Sequence, residues 1–144
     1  MKLDRDQEAE AALRKSLELD SEAPETHYAL ATLFITPIMN QPGRAESSFR
    51  EAIRLQPDYS AAHMNLAIVL FRENRPAEAD DQFKSAIRYH PEYALGHYNY
   101  GLMLIAENRR QEARSQMKSA VEGEASLDPK TREEARRLLS ELER

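Results

Sequence analysis

The stretch SAAHMNLAIVLFRENRPAEADDQFKSAIRYHPEY, residues 60–93, decides the fold. Ser60 to Arg72 is apolar on nearly every side, which marks a helix with neighbours on two flanks. Asn74-Arg75-Pro76 follows. Asparagine tolerates the left-handed backbone that ends a helix, and proline suits the opening turn of the next. In the second half Ala79, Phe83 and Ala86 share one face of a more polar helix, and Pro91 stops it. The segment therefore reads as two antiparallel helices joined by a tight turn.

The same grammar recurs on both sides. His63-Met64-Asn65-Leu66-Ala67 aligns with His27-Tyr28-Ala29-Leu30-Ala31 and with His97-Tyr98-Asn99-Tyr100-Gly101. The turns align as Asn40-Gln41-Pro42, Asn74-Arg75-Pro76 and Asn108-Arg109-Arg110. Ala45, Phe49 and Ala52 match Ala79, Phe83 and Ala86, and then Ala113, Met117 and Ala120. From Asn40 onward every step has one length, that from Asn40 to Asn74. Small residues at these positions let helices approach closely, and the Phe or Met side chains fill the space between them.

Composition agrees and narrows the function classes. There are 20 alanines against 2 valines, and no cysteine, so a sheet fold, a disulfide scaffold and thiol chemistry are all excluded. No run reaches the roughly 18–20 apolar residues of a membrane span, and the N-terminus does not resemble a signal peptide. These features leave the compartment undetermined, with the cytoplasm slightly favoured and the periplasm open if the chain is a fragment. A net charge of −5 argues against a nucleic-acid surface. Glycine-rich phosphate loops, GxSxG and HExxH are all missing, so no enzyme activity and no cofactor are expected.

The residues carrying the period resemble the tetratricopeptide repeat, a family whose unit is a helix pair of this same period. The resemblance covers about residues 9–125. It implies an all-α, right-handed α-solenoid of such helix pairs, closed by a C-terminal capping helix. The chain is read as one domain, 1–144. It comprises a half-repeat at 3–22, repeats at 24–58, 60–93 and 94–127, and the cap at 128–144. Two departures stand out. The first repeat carries two extra residues within Ile35–Met39, where Thr36-Pro37 should shorten its first helix. After the third, the next proline is Pro129, four residues late; with Asp128 it starts the last helix, whose apolar stripe is Ala135, Leu138, Leu139 and Leu142. Arg132, Glu133, Arg136 and Arg137 are expected to face outward.

At the N-terminus Ala9, Leu13, Ser16, Leu17 and Leu19 match a second helix whose first helix is missing. Two explanations stand side by side. Met1 begins a fragment of a longer repeat protein, or the bare flank is a homodimer contact.

In the tetratricopeptide architecture a second stripe of each first helix lines a concave groove. That stripe gives the candidate peptide-binding residues: Tyr28 and Thr32; Met64, Asn65, Ile68, Phe71 and Arg72; Leu95, Tyr98, Asn99, Leu102 and Ile105. The alternative is that the curl of the solenoid or the capping helix buries part of it. Asn65 and Asn99 sit at one repeat position, where some family members hold a peptide backbone, or else they bond neighbouring helices or water. The family's lysine clamp for acidic chaperone tails has no counterpart, because its positions hold Tyr28, Met64, Tyr98 and Leu95. The expected ligand is an apolar or aromatic segment or helix of another protein, bound by a scaffold or assembly adaptor. The competing roles are a structural spacer or self-association segment, or the regulatory part of an enzyme whose catalytic domain lies elsewhere. His27, His63 and His97 stand on successive repeats, too far apart to share a zinc ion, and are expected to pack with one polar edge.

Overall fold

A computed structural model describes residues 2–144; Met1 and the question of what it begins lie outside them. Among the described residues there are eight α-helices: α1 (Lys2–Leu19), α2 (Pro24–Phe34), α3 (Pro42–Leu55), α4 (Ser60–Arg72), α5 (Pro76–Tyr89), α6 (Ala94–Ala106), α7 (Arg110–Glu122) and α8 (Pro129–Leu142). A single 3₁₀ turn, Glu124–Ser126, precedes α8. None of these helices is long and apolar enough to cross a membrane. The chain forms two compact units, the first ending at Gln82 and the second running from Phe83 to Arg144, so that α5 belongs partly to each.

Local chemistry sets the helix ends. Pro24, Pro42, Pro76 and Pro129 each open a helix, where a missing N–H costs no bond. Among the described residues, Asn40, Asn74 and Asn108 are the non-glycine residues with positive φ, at 42°, 60° and 59°. Behind each asparagine the next N–H reaches back to the helix just ended: Gln41 to the Phe34 carbonyl at 2.8 Å, Arg75 to Leu70 at 3.0 Å and Arg109 to Leu104 at 2.8 Å. The three bonds close equivalent turns. The two-residue insertion therefore bulges within the first turn and leaves its closing hydrogen bond intact, while α2 ends early at Phe34, as Thr36-Pro37 predicts.

In the first unit, Leu30, Ala31, Phe34, Ala45, Phe49, Ala52, Leu66, Ala67, Leu70 and Ala79 form the core. The two helix types bury themselves differently. α4 buries seven residues, Ala62, His63, Met64, Leu66, Ala67, Val69 and Leu70, whereas α3 buries only Ala45, Phe49 and Ala52. That is the difference between two apolar stripes and one.

The histidines tie each first helix to the loop before it. The Nε2 atoms of His27, His63 and His97 lie 3.0, 2.9 and 2.8 Å from the carbonyls of Ser21, Pro57 and Pro91. His63 and His97 also bond Gln82 and Gln116 through Nδ1, at 2.8 Å each.

Ion pairs link the exposed side of α3 to the start of α5. Glu46 pairs with Arg50 at 2.9 Å and Arg75 at 2.8 Å, and Glu78 pairs with Arg75 at 2.7 Å. The Arg75 hydrogen bond, with a smaller contribution from Arg50, holds the Glu46 carboxyl below its ordinary 4.5 despite partial burial. A depressed carboxylate stabilises the fold above its ordinary value and loses that contribution as pH falls through the folded value. Glu46→Gln is therefore expected to cost about 0.5–1 kcal/mol at neutral pH. In urea titrations from pH 7 to pH 3 the difference from wild type should shrink to nothing at the acid end.

The second unit packs Phe83, Ala86, Tyr100, Leu104, Ala113, Met117, Ala120 and Ala135. The Phe83 and Tyr100 rings stack at 5.2 Å with 17° between their planes. Gly101 stands where the other repeats have alanine, and the Met117 side chain fills the space beside it, its methyl 2.7 Å from where a Cβ would lie.

Asp128 caps α8 as its sequence predicts, its carboxylate accepting from the Lys130 and Thr131 amides at 3.1 Å each. Ala135 is fully buried, while Leu138, Leu139 and Leu142 are half-buried. Arg132 departs from the expected outward orientation: its guanidinium folds back to donate to the Leu127 carbonyl at 3.0 Å. α8 also keeps the repeat register. Ala135 stands one full period after Gly101, and Leu138 one full period after Leu104.

Candidate functional site

The first unit gathers seven candidate residues on α2 and α4. Tyr28 is half-buried; its ring stacks on Tyr59 at 5.0 Å and meets the tilted Phe49 ring at 5.8 Å. The Asn65 side-chain amide donates to the Tyr28 hydroxyl oxygen at 3.0 Å, which joins the two helices. This geometry leaves the Tyr28 O–H hydrogen and the Asn65 carbonyl oxygen available to a further partner. Burial raises the Tyr28 ionisation and the Asn65 bond opposes it, so the phenol remains neutral. Tyr59 is raised as well, first by burial and then by Tyr28 and Glu25.

The other members differ in availability. Met64 is buried at 5% exposure and contributes to the core. Thr32 spends its hydroxyl on the Ala29 carbonyl, 2.8 Å away within its own helix. Ile68 and Phe71 are half-buried on the face of α4, and Arg72 is exposed at its end. Arg72 helps line a pocket of about 100 Å³ with Phe34, Ile35, Asn40, Pro42, Val69 and Glu73.

In the second unit the five candidates do not form one open face. Tyr98 is 8% exposed and belongs to a cluster with Met117, Ala120 and Ala135, against which Leu102, Ile105, Leu138, Leu139 and Leu142 pack. Helix α8 thus covers Tyr98, while Leu102 and Ile105 pack against the same cluster and stay half-buried. The Tyr98 ionisation is pushed up to about 12, first by burial and then by its hydrogen bond to Glu134. Asn99 is half-buried and donates to the Leu95 carbonyl of its own helix at 2.8 Å; Leu95 is exposed. The two asparagines therefore share a repeat position but make different bonds.

Sequence reading missed Tyr59 and most of the pocket lining, Arg72 excepted. Tyr59 lies in the loop before α4, outside the helical stripe used to choose candidates, although Tyr93 recurs one period later. Tyr93 stacks on His90 at 5.2 Å with 9° between the rings, so that loop position is aromatic in both units.

Comparison with known proteins fits these features. The profile of the tetratricopeptide repeat family matches residues 39–81 and 69–129. Two crystal structures of MamA are similar to the chain. The first has a TM-score of 0.75 and 23% identity over 83% of this chain and 69% of MamA. The second has a TM-score of 0.72 and 23% identity over 83% and 64%. The crystal structure of YrrB, described as a TPR protein with an unusual peptide-binding site, has a TM-score of 0.71 and 21% identity over 98% of this chain and 78% of YrrB. At such identities the likeness is one of fold. No curated protein sequence matches the chain. The repeat profile covers more than half of the residues, and the protein belongs to the tetratricopeptide repeat family.

Proposed function

We propose that this protein is a non-catalytic interaction module whose α2–α4 face binds an apolar or aromatic segment of another protein. The observation that carries this reading is the Tyr28–Asn65 pair. It places an uncommitted hydroxyl hydrogen and an uncommitted carbonyl beside a half-buried apolar strip of Ile68 and Phe71. An extended backbone supplies the matching acceptor and donor, and its side chains bury against the strip. Arg72, exposed beside the pocket, would orient the segment by meeting an acidic residue or a terminal carboxylate. The peptide-binding site in the description of YrrB supports the same class of role. In the second unit α8 packs over Tyr98 and Asn99 bonds within its own helix, so we take the binding residues to be Tyr28, Asn65, Ile68, Phe71 and Arg72, with Tyr59 stacked on Tyr28.

The test is selection of peptides from a random phage-displayed library, followed by calorimetry on purified variants. Asn65→Ala and Phe71→Ala are each expected to weaken the selected peptides by about tenfold or more, with helicity unchanged. Affinities equal to wild type in both variants would place the binding elsewhere.

A further inference from the structure

His27 departs from its counterparts in one respect. In the other two repeats the ring is held at both nitrogens, Nε2 by a loop carbonyl and Nδ1 by the carboxamide of Gln82 or Gln116. Those rings are buried, His63 at 6% and His97 at 7% exposure. His27 keeps the first bond, its Nε2 donating to the Ser21 carbonyl, but the residue one period before Gln82 is Ser48. Serine is too short to reach the ring. His27 stays half-buried, and neither its Nδ1 nor the Ser48 hydroxyl has a hydrogen-bond partner among the described residues.

Both groups open onto one pocket. Arg14 and Leu17 of α1, His27 and Leu30 of α2, and Arg44 and Ser48 of α3 help line a groove of about 330 Å³. Ligand sites run from roughly 300 to 1,000 Å³. The groove belongs to the repeat and does not depend on the ends of the chain. It recurs between α5 and α7, where Lys84, Ile87 and Tyr100 stand in for Arg14, Leu17 and Leu30. There Gln116 lines the groove and His97 does not. Two replacements set the first groove apart: Ser48 where the third repeat has Gln116, and Arg44 where it has Glu112.

The second replacement reverses a charge. Arg14 and Arg44 share one carboxylate, that of Glu10, which lies 2.9 Å from Arg14 Nε. The Arg44 guanidinium also sits over the Phe34 ring, 4.0 Å from its centroid. Two guanidiniums against one carboxylate leave positive charge here, on a chain whose net charge is −5.

We propose that this groove is a second binding site, which takes a glutamine side chain of a partner segment together with a neighbouring acidic residue. The chain itself points to the carboxamide, because that group fills the same place in the other two repeats. A carboxamide also suits the ring in either protonation state, donating to a neutral Nδ1 or accepting from a protonated one. The acidic residue meets Arg14 and Arg44, and apolar stems rest on Leu17 and Leu30. The site goes beyond the α2–α4 face: neither Tyr28 nor Asn65 lines it.

The test is selection on the full chain from a phage-displayed heptapeptide library with a fixed central glutamine, followed by calorimetry. Ser48→Gln and Arg44→Glu each install the residue that the other repeats carry. Ser48→Gln should melt no lower than wild type. The selected peptides should carry an acidic residue close to the glutamine and weaken about tenfold or more on each variant. Changing their glutamine to alanine should weaken them as much, and Asn65→Ala should bind them like wild type. If Ser48→Gln does not fold, Arg44→Glu carries the test alone. Failure to enrich any peptide overturns the proposal, and so do enriched peptides that bind both variants like wild type. Peptides weakened by Asn65→Ala and by neither of those variants overturn this site while leaving the α2–α4 reading intact.

Discussion

Phe49→Ala lowers the unfolding free energy of the first unit by about 3–5 kcal/mol, the usual cost of emptying a fully buried aromatic site. Phe49 has no exposed surface, lies between the close-approach alanines Ala45 and Ala52 of its own helix, and supports the Tyr28 ring at 5.8 Å. The neighbouring backbone cannot collapse into the space, because Ala45 and Ala52 are already fully buried. Urea titration followed by circular dichroism measures the loss. Leu19→Ala serves as the control, since a side chain 85% exposed should cost no more than about 0.5 kcal/mol. If Phe49→Ala costs under about 1 kcal/mol, the side chain is not filling the space assigned to it.

Ala135→Glu unseats α8. The position is fully buried in the apolar cluster of Tyr98, Met117 and Ala120, where a carboxylate would lose its water. Holding an unpaired charge there would cost about 3–5 kcal/mol, so the helix leaves rather than bury it. The Tyr98 phenol reports the departure. With α8 seated its ionisation is pushed up to about 12, against an ordinary 10.0, by burial and the Glu134 hydrogen bond. A raised phenol favours the folded state below pH 10 and loses that contribution as pH climbs towards 12. The sign follows because the folded chain holds the proton through that window and the unfolded chain does not. Wild type should therefore lose stability there, and Ala135→Glu should lose less, keeping only the share that the raised Tyr28 and Tyr59 contribute. In the variant the late tyrosinate absorbance should move down towards pH 10, and Tyr98→Phe identifies which of the six tyrosines carries it. An unchanged late titration would mean that burial under α8 does not set the Tyr98 value.

Much of the fold is legible because its punctuation is local. Asn40, Asn74 and Asn108 adopt positive φ, and Pro42 and Pro76 open helices, for reasons carried by each residue alone. The register of α8 is harder to see. The late Pro129 reads as a displaced repeat end, and only Ala135 and Leu138 keep the repeat's signature in a helix otherwise rich in Arg and Glu.

Legibility of the site is limited for a different reason. An apolar face on a helix says that something covers it, without saying what. Tyr28 and Tyr98 occupy one repeat position and look equivalent in the sequence. One is tied to Asn65 on a half-buried face, and the other is sealed beneath Leu138, Leu139 and Leu142. Tyr59 escapes notice because it packs from a loop, where helical periodicity carries no information.

The most direct measurement of the central claim is a ¹H–¹⁵N chemical-shift map of the full chain titrated with a library-selected peptide. The account predicts that the largest changes fall on Tyr28, Asn65, Ile68, Phe71 and Arg72, with Tyr98 unmoved beneath α8. Changes concentrated on α8 and on Tyr98, with α2 and α4 silent, would contradict it.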